Sequence, residues 1–262
     1  MTFFVAAMPG RLRSKMAFDY DSIPGDYQFR ALTKGYRLQR FWHQNKIRVR
    51  RELLPVSVSD TILEVGCGSG NLLLDACASA RRGLGVDISA AALKFCHSRN
   101  PGNCLLVRAD GSQLPVATNS TDKAMLIEVL EHLSNPEEFI LEMKRVLVPG
   151  GMALITTPNY SGTSLWPLVE RLLDVAGMTP KMAGAQHITL FDRKRLEQVV
   201  KQAGLEIVKL GSFYSLSAFL SMLSAKLAER TVLREIERNS DAGMLQYCLA
   251  RKPPEKSKNQ SG

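Results

Sequence analysis

Three glycines at alternate positions, Gly66, Gly68 and Gly70, follow the short apolar run Ile62, Leu63 and Val65, which Glu64 interrupts. Asn71-Leu-Leu-Leu74 then reads as the opening of a helix. A strand that feeds a helix through a glycine turn lets backbone N–H groups approach a bound nucleotide, because no Cβ stands in the way. A second apolar run ends in a carboxylate at Asp87, seventeen residues beyond Gly70. That separation is close to the roughly 20 expected for an acid that binds a ribose diol. Asp110 closes a third run, Glu128, Glu131 and His132 follow a fourth, and His187 stands farther on in Gln186-His-Ile-Thr-Leu-Phe191. Carboxylates and imidazoles of this kind can hold ligand hydroxyls, ligate a metal or move a proton.

The glycine spacing selects among nucleotides. A dinucleotide fingerprint is G-x-G-x-x-G, and its third glycine position is occupied here by Asn71. Glu64 precedes the turn, where an anion repels a pyrophosphate and suits a cationic ligand. The pattern Glu64-x-Gly66-x-Gly68-x-Gly70 resembles motif I of class I S-adenosylmethionine (SAM) methyltransferases. Their cofactor carries a sulfonium and an amino group and no phosphate. Glu128-Val-Leu-Glu-His132 and Val148-Pro-Gly-Gly-Met152 resemble the methyltransferase type 11 subgroup, which contains the ubiquinone and menaquinone pathway enzymes.

That resemblance covers about Asp60 to Arg251 and implies S-adenosyl-L-methionine as cofactor. It places Glu64 beneath the turn, orienting the methionine end, with Gly66, Gly68 and Gly70 passing against the ligand. Asp87 would accept from the ribose hydroxyls and Ile88 would pack on the adenine. Asp110 would accept from the adenine amino group with Gly111 beside it, and Glu128 would line the methionine moiety largely with backbone. The implied acceptor is small, and quinone- or lipid-like acceptors belong to the same subgroup. The sulfonium is already the activated reagent, so catalysis needs chiefly in-line approach. A base is required only for a protonated oxygen or nitrogen nucleophile, and His132 and His187 are the candidates. Glu128, Glu131 and His132 also resemble a metal-linked site of some quinone O-methyltransferases, but the run occurs in relatives with other substrates, so no metal is assigned.

Strands and helices must alternate to position these groups. Apolar runs at 61–66, up to Asp87, 104–108, 123–128, 152–156, 205–213 and 245–250 read as seven strands. Between them lie helices with recognisable ends: Ser89 and Asp192 as N-caps, Asn100-Pro-Gly and Pro149-Gly-Gly as stops, and Asn135-Pro136 as an opening. The fold expected is α/β, a Rossmann-like, doubly wound seven-stranded sheet, mostly parallel with an antiparallel last strand. A basic helical cap over 1–55 precedes a cofactor domain over 56–252, and a polar, disordered tail over 253–262 closes the chain. The opening Met1-Thr-Phe-Phe-Val-Ala-Ala-Met lacks a basic n-region and reads as a flexible start.

Within 27–54 the chain places eight basic residues against Glu52 alone, an excess that reads either as a solvated helix face or as a surface for an anionic partner. A second feature interrupts the expected hairpin of the last two strands. Over 214–243, Leu216, Phe219, Leu220, Leu223 and Leu227 recur at helical spacing, and Lys226, Arg230, Arg234 and Arg238 recur every four residues. The segment reads either as a lid, its arginines paired with Glu229, Glu235 and Glu237, or as a helix at an anionic membrane surface. The five cysteines form no C-x-x-C pair and read as reduced core residues, so the chain is expected to be cytoplasmic. It is peripheral at the inner membrane face if the insertion touches lipid. A nucleic-acid methyltransferase is disfavoured, because the N-P-P-Y-type tetrad of amino-methylating relatives is replaced by Glu128-Val-Leu-Glu131. A non-catalytic SAM-binding module would show a broken cofactor motif, and this one is intact. An NAD-dependent oxidoreductase conflicts with Glu64 and Asn71.

Overall fold

The computed structural model describes residues 20–175, 187–238 and 240–255. The start over 1–19, the glycine-rich loop over 176–186 and the tail from 256 therefore lie outside the described residues. Seven strands form one sheet in the order β3-β2-β1-β4-β5-β7-β6. They are β1 (Thr61–Val65), β2 (Arg82–Asp87), β3 (Cys104–Arg108), β4 (Thr121–Ile127), β5 (Leu147–Pro158), β6 (Glu206–Phe213) and β7 (Leu245–Arg251). The first five pair in parallel, and β7 runs antiparallel between β5 and β6. This is the expected doubly wound sheet with its reversed last strand.

Strand periodicity divides the core. Successive side chains point to opposite faces, so Leu63, Val65, Ala124, Leu126, Ala153 and Ile155 join one apolar cluster. Ile62, Met125 and Leu154 join the other. Helices α5 (Pro136–Val146) and Arg193–Gln202 cover the first face with residues such as Ile140, Met143, Leu196 and Val200. The second face is covered by α2 (Arg37–Leu53), through Phe41, Val49 and Leu53, and by helix Ala225–Arg238, through Ala228, Val232 and Ile236. Ser89 caps α4 (Ala90–Arg99) by accepting from Ala92 N–H at 3.2 Å, and Asp192 caps Arg193–Gln202 by accepting from Arg195 N–H at 2.8 Å.

Several expectations are corrected. Helix α5 stops at Val146 and not at Pro149, so the Pro-Gly-Gly segment falls inside β5, with Gly150 at φ +82°. Cys77, at the end of α3 (Asn71–Cys77), and Cys104, opening β3, are joined as a disulfide across Cα atoms 6.7 Å apart. Gly83 makes the room, since a Cβ there would strike both sulfurs. Cys67, Cys96 and Cys248 are free and buried, so the thiols do not argue as a set for a reducing compartment. The insertion is two helices, Leu216–Leu220 and Ala225–Arg238, broken at Ser221–Ser224. Lys252, placed at the edge of the tail, is held in the fold by Nζ donating to Leu147 O at 2.8 Å.

The basic N-terminal segment is largely neutralised from within. Five of its eight cations meet carboxylates: Arg30 with Asp26, Lys46 with Glu128, Arg48 with Glu229, and Arg50 and Arg51 with Asp75 of α3. Arg50 is 4% exposed, and Lys46 is buried as well. Most of these pairs fasten α2 to α3, to the end of β4 and to helix Ala225–Arg238, so the greater part of the charge over 27–54 is engaged inside the chain. Among the described residues no helix is long and apolar enough to cross a membrane.

Candidate functional site

The carboxyl ends of β1, β2 and β4 open into one cavity of about 400 Å³. Its first half is built by backbone. Gly66, Gly68 and Gly70 all hold positive φ, +74°, +50° and +78°, which L side chains rarely adopt. A Cβ on Gly66 would strike Val129, and one on Gly68 would strike the Gln28 amide. Asp87 locks this turn: its Oδ2 accepts from Gly68 N–H at 2.7 Å and its Oδ1 from Ser89 N–H at 2.8 Å. Burial pushes the Asp87 carboxyl up, and these backbone donors work against that shift. Ile88, Asp110, Gly111, Leu133 and Phe139 also line this half, and Asp110 Oδ1 accepts from Ser112 N–H at 2.9 Å.

Glu64 sits beneath the turn on the face that α2 covers. It is 2% exposed, and its Oε2 has no hydrogen-bond partner. Burial pushes its carboxyl up to about 8, although Arg50 and Lys46 pull the other way. An orphaned carboxylate oxygen buried beside a glycine cradle suits a ligand carrying positive charge and donors. The carboxylate of Asp87 keeps further acceptor capacity for hydroxyls. The residues present therefore fit S-adenosyl-L-methionine, with an apolar slot, an acid for a diol and, among the described residues of the glycine turn itself, no cationic side chain.

The second half is built by side chains from distant parts of the chain. Glu128 follows β4 with φ +54°. Its carboxylate accepts from Lys46 Nζ at 2.5 Å and from Trp42 Nε1 at 3.2 Å, both on α2. Burial alone would raise its pKa, but the Lys46 ammonium overcomes this and holds the carboxyl below its usual range. Glu128 therefore contributes a pinned side chain here, which the expectation of a backbone role did not include. Glu131 is buried and pushed up to about 7, by desolvation first and by the nearby Glu128 charge second. Its Oε2 accepts from Thr157 Oγ1 at 2.9 Å. The surroundings thus push the two carboxyls in opposite directions, Glu128 down and Glu131 up, an arrangement found in sites that move protons.

His132 and His187 come together although they are far apart in sequence, with ring centroids 5.1 Å apart. His187 Nδ1 lies 2.9 Å from Glu170 Oε1 and 2.7 Å from Tyr160 Oη. Glu170 comes from α6 (Trp166–Val175), whose Trp166 lines the cavity beside Trp42. Desolvation lowers the His187 pKa, but the Glu170 and Glu131 carboxylates outweigh it and the net shift is upward. Glu131, His132 and His187 offer atoms within 4.8 Å of one another, a spacing able to hold a cation. Glu128 is not in that cluster, and its carboxylate is engaged by Lys46. Sequence reasoning missed Trp42, His43, Lys46, Trp166 and Glu170. Only the burial-compatible spacing of Trp42, Lys46 and Val49 on α2 hinted that this helix faced inward.

Fold and site together resemble those of the class I SAM-dependent methyltransferases, whose cofactor is S-adenosyl-L-methionine. Comparison with known proteins agrees: residues 63–155 match the model of a methyltransferase domain. A Mycolicibacterium smegmatis protein named a probable S-adenosylmethionine-dependent methyltransferase is 30% identical over 55% of this chain and 58% of its own length. The demethylmenaquinone methyltransferase of Chlamydia pneumoniae is 28% identical over 56% of this chain and 66% of its own. The chain thus spans under two-thirds of the length of either curated relative. Among solved structures, an S-adenosylmethionine-dependent methyltransferase from Mesorhizobium loti superposes with a TM-score of 0.58 at 20% identity, over 78% of this chain and 96% of that one. That likeness speaks for the fold alone.

Proposed function

We propose that the protein methylates an oxygen or nitrogen of a small lipophilic acceptor, quinone- or lipid-like, at a membrane surface. The carrying observation is that the glycine cradle and the Glu170-braced His187 open into one cavity, walled by Trp42 and Trp166 on the acceptor side. Bound S-adenosyl-L-methionine supplies an activated methyl group on a sulfonium. Gly66, Gly68, Asp87, Ile88, Asp110 and Gly111 would hold its nucleoside portion, and Glu64 would face its charged end. Glu170 accepts from His187 Nδ1–H, which fixes the tautomer and leaves Nε2 free to take a proton from an acceptor hydroxyl. His132 shares that wall and is the second candidate. The demethylmenaquinone enzyme among the relatives supports a quinone-like acceptor, as does the aromatic lining.

The test is transfer of labelled methyl groups from the cofactor into a lipid extract of cells lacking this protein. Label should enter a lipophilic product with the wild-type chain. With His187→Ala the rate should fall by roughly 100-fold while cofactor affinity stays nearly constant. Label entering only aqueous metabolites would remove the lipophilic acceptor. Unchanged turnover in both His187→Ala and His132→Ala would remove the histidines and leave positioning as the main contribution.

A further inference from the structure

Helix α6 turns two faces in different directions. Trp166 and Glu170 look inward to the cavity and to His187. Leu165, just before the helix, and Leu168, Leu172 and Val175 on it look outward, with Val175 84% exposed. The insertion repeats this arrangement. Ser217, Ala218, Ala228, Val232 and Ile236 are buried, whereas Leu216, Phe219, Met222, Leu223 and Leu227 are exposed, Leu223 at 78%. Singly exposed leucines are ordinary. Nine large apolar side chains on two short elements are not, and such concentrations mark interaction surfaces.

Both elements border the same aromatic cluster at the acceptor end of the cavity. Trp42 lies 5.4 Å from Trp166 of α6 and 4.4 Å from Tyr214, which leads into the insertion. Arg37 Nη2 also ties α2 to the insertion by donating to Leu223 O at 3.1 Å. The exposed apolar residues therefore flank the wall of the acceptor chamber rather than some remote part of the surface.

Charge identifies the occupant. Lys226, Arg230, Arg234 and Arg238 are exposed, and no ion pair or hydrogen bond engages them among the described residues. The alternative pairing expected for a lid is not formed. Glu229 is taken by Arg48 at 2.9 Å, and Glu235 is buried, accepting from Tyr214 N–H at 2.9 Å and Ser217 N–H at 2.9 Å. Glu237 is the one acid on the cationic side of this helix. At 100° per residue, Leu227 falls on the same face as Arg230 and Arg234. Apolar side chains beside unpaired cations suit the boundary of an anionic bilayer, where the leucines enter the acyl edge and the cations meet headgroups. A nucleic-acid surface would explain the cations and leave the leucines without a role.

We infer that the outer faces of α6 and of the 214–243 insertion dock on an anionic lipid bilayer, beside the wall of the acceptor chamber. This rests on the reading of a lipophilic acceptor and identifies the surface from which it enters.

Co-sedimentation of the full chain with vesicles tests the assignment. The protein should sediment with phosphatidylcholine vesicles containing phosphatidylglycerol and stay in solution with phosphatidylcholine alone. Salt should reverse the binding by screening the charges. Replacing Lys226, Arg230 and Arg234 together with Gln should weaken binding by at least roughly tenfold, and Leu223→Ser with Leu168→Ser should weaken it independently. Cofactor affinity, measured by calorimetry on each variant, should not move, which shows that the variants fold. Equal recovery with both vesicle types, recovery with neither, or undiminished binding of the triple Gln variant would overturn the docking surface. Those results would leave methyl transfer standing, whereas a wild-type chain that binds no cofactor would overturn methyl transfer whatever the vesicles show.

Discussion

The two halves of the cavity are made in different ways. The half around Gly66–Gly70, proposed for the cofactor, is backbone: a left-handed glycine turn, two N–H groups on Asp87, and strand ends fixed by parallel pairing. The half proposed for the acceptor is side chain: Trp42 and Lys46 from α2, Glu128 and Glu131 after β4, Glu170 from α6 and His187 after it. Backbone tolerates few residue types at a given φ, so the first half can hardly vary without losing its ligand. Side-chain walls can be exchanged one at a time, so the second half is where one fold acquires different acceptors. The contrast implies that damage to the first half removes cofactor binding, while damage to the second alters stability or turnover.

The largest effect is expected at the turn. Gly68→Val places a branched side chain at φ +50° and drives its Cβ into Gln28. Cofactor binding should fall below detection in calorimetry, a loss of roughly 100-fold or more, since both strain and exclusion act on the cradle. Asp87→Ala should lose roughly 1–3 kcal/mol of binding from unmade hydrogen bonds. It should also loosen the turn, because Gly68 N–H and Ser89 N–H lose their common acceptor. Full affinity in both variants would mean that the cradle is not where the cofactor sits.

The next effect sharpens the other side of the contrast. Lys46 is buried and its ammonium meets the Glu128 carboxylate, which is itself largely enclosed. Lys46→Met leaves that charge without its partner, and breaking a pair of this kind destabilises by roughly 3–5 kcal/mol. Adding Glu128→Gln to Lys46→Met should restore most of the stability in chemical denaturation, because the orphaned charge is gone. Cofactor affinity should change little in the double variant. An equal loss in the single and double variants would show that an orphaned Glu128 charge is not what destabilises Lys46→Met.

The same contrast explains what could be read beforehand. The strand segments, the caps at Ser89 and Asp192 and the cradle residues follow from local chemistry: apolar β-leaning runs, N-cap oxygens, and glycines where φ is positive. Nothing local announces that Lys46 meets Glu128, or that Glu170 braces His187 seventeen residues away, because those contacts are made by tertiary packing. The Cys77–Cys104 bridge escaped for the same reason, its partners being 27 residues apart and meeting over Gly83. The basic run over 27–54 pointed to anions, but not to where they lie. As sequence it suggested an external anion, whereas the anions are Asp75, Glu128 and Glu229 within the chain.

The smallest effect concerns a proton. Glu64 is fully enclosed and its carboxyl is raised to about 8, chiefly by desolvation. A raised acid pKa means that the folded chain keeps a proton that the unfolded chain has released. Between the ordinary carboxyl pKa of about 4.3 and this raised value, unfolding releases that proton, so stability falls as pH rises. Wild-type melting temperature, followed without cofactor, should therefore decline between about pH 5 and 8 more steeply than that of Glu64→Gln, by about 2–4 °C for each kcal/mol involved. A bound cation reverses the preference of the site, because it stabilises the ionised carboxylate. Cofactor binding should then release a proton near pH 7, visible in calorimetry as a binding heat that depends on the ionisation enthalpy of the buffer. Affinity should rise toward pH 8, and Glu64→Gln should remove both the buffer dependence and most of that rise. A wild-type binding heat independent of buffer would place the positive end of the cofactor away from Glu64 and leave that carboxyl as a feature of the core beneath the turn.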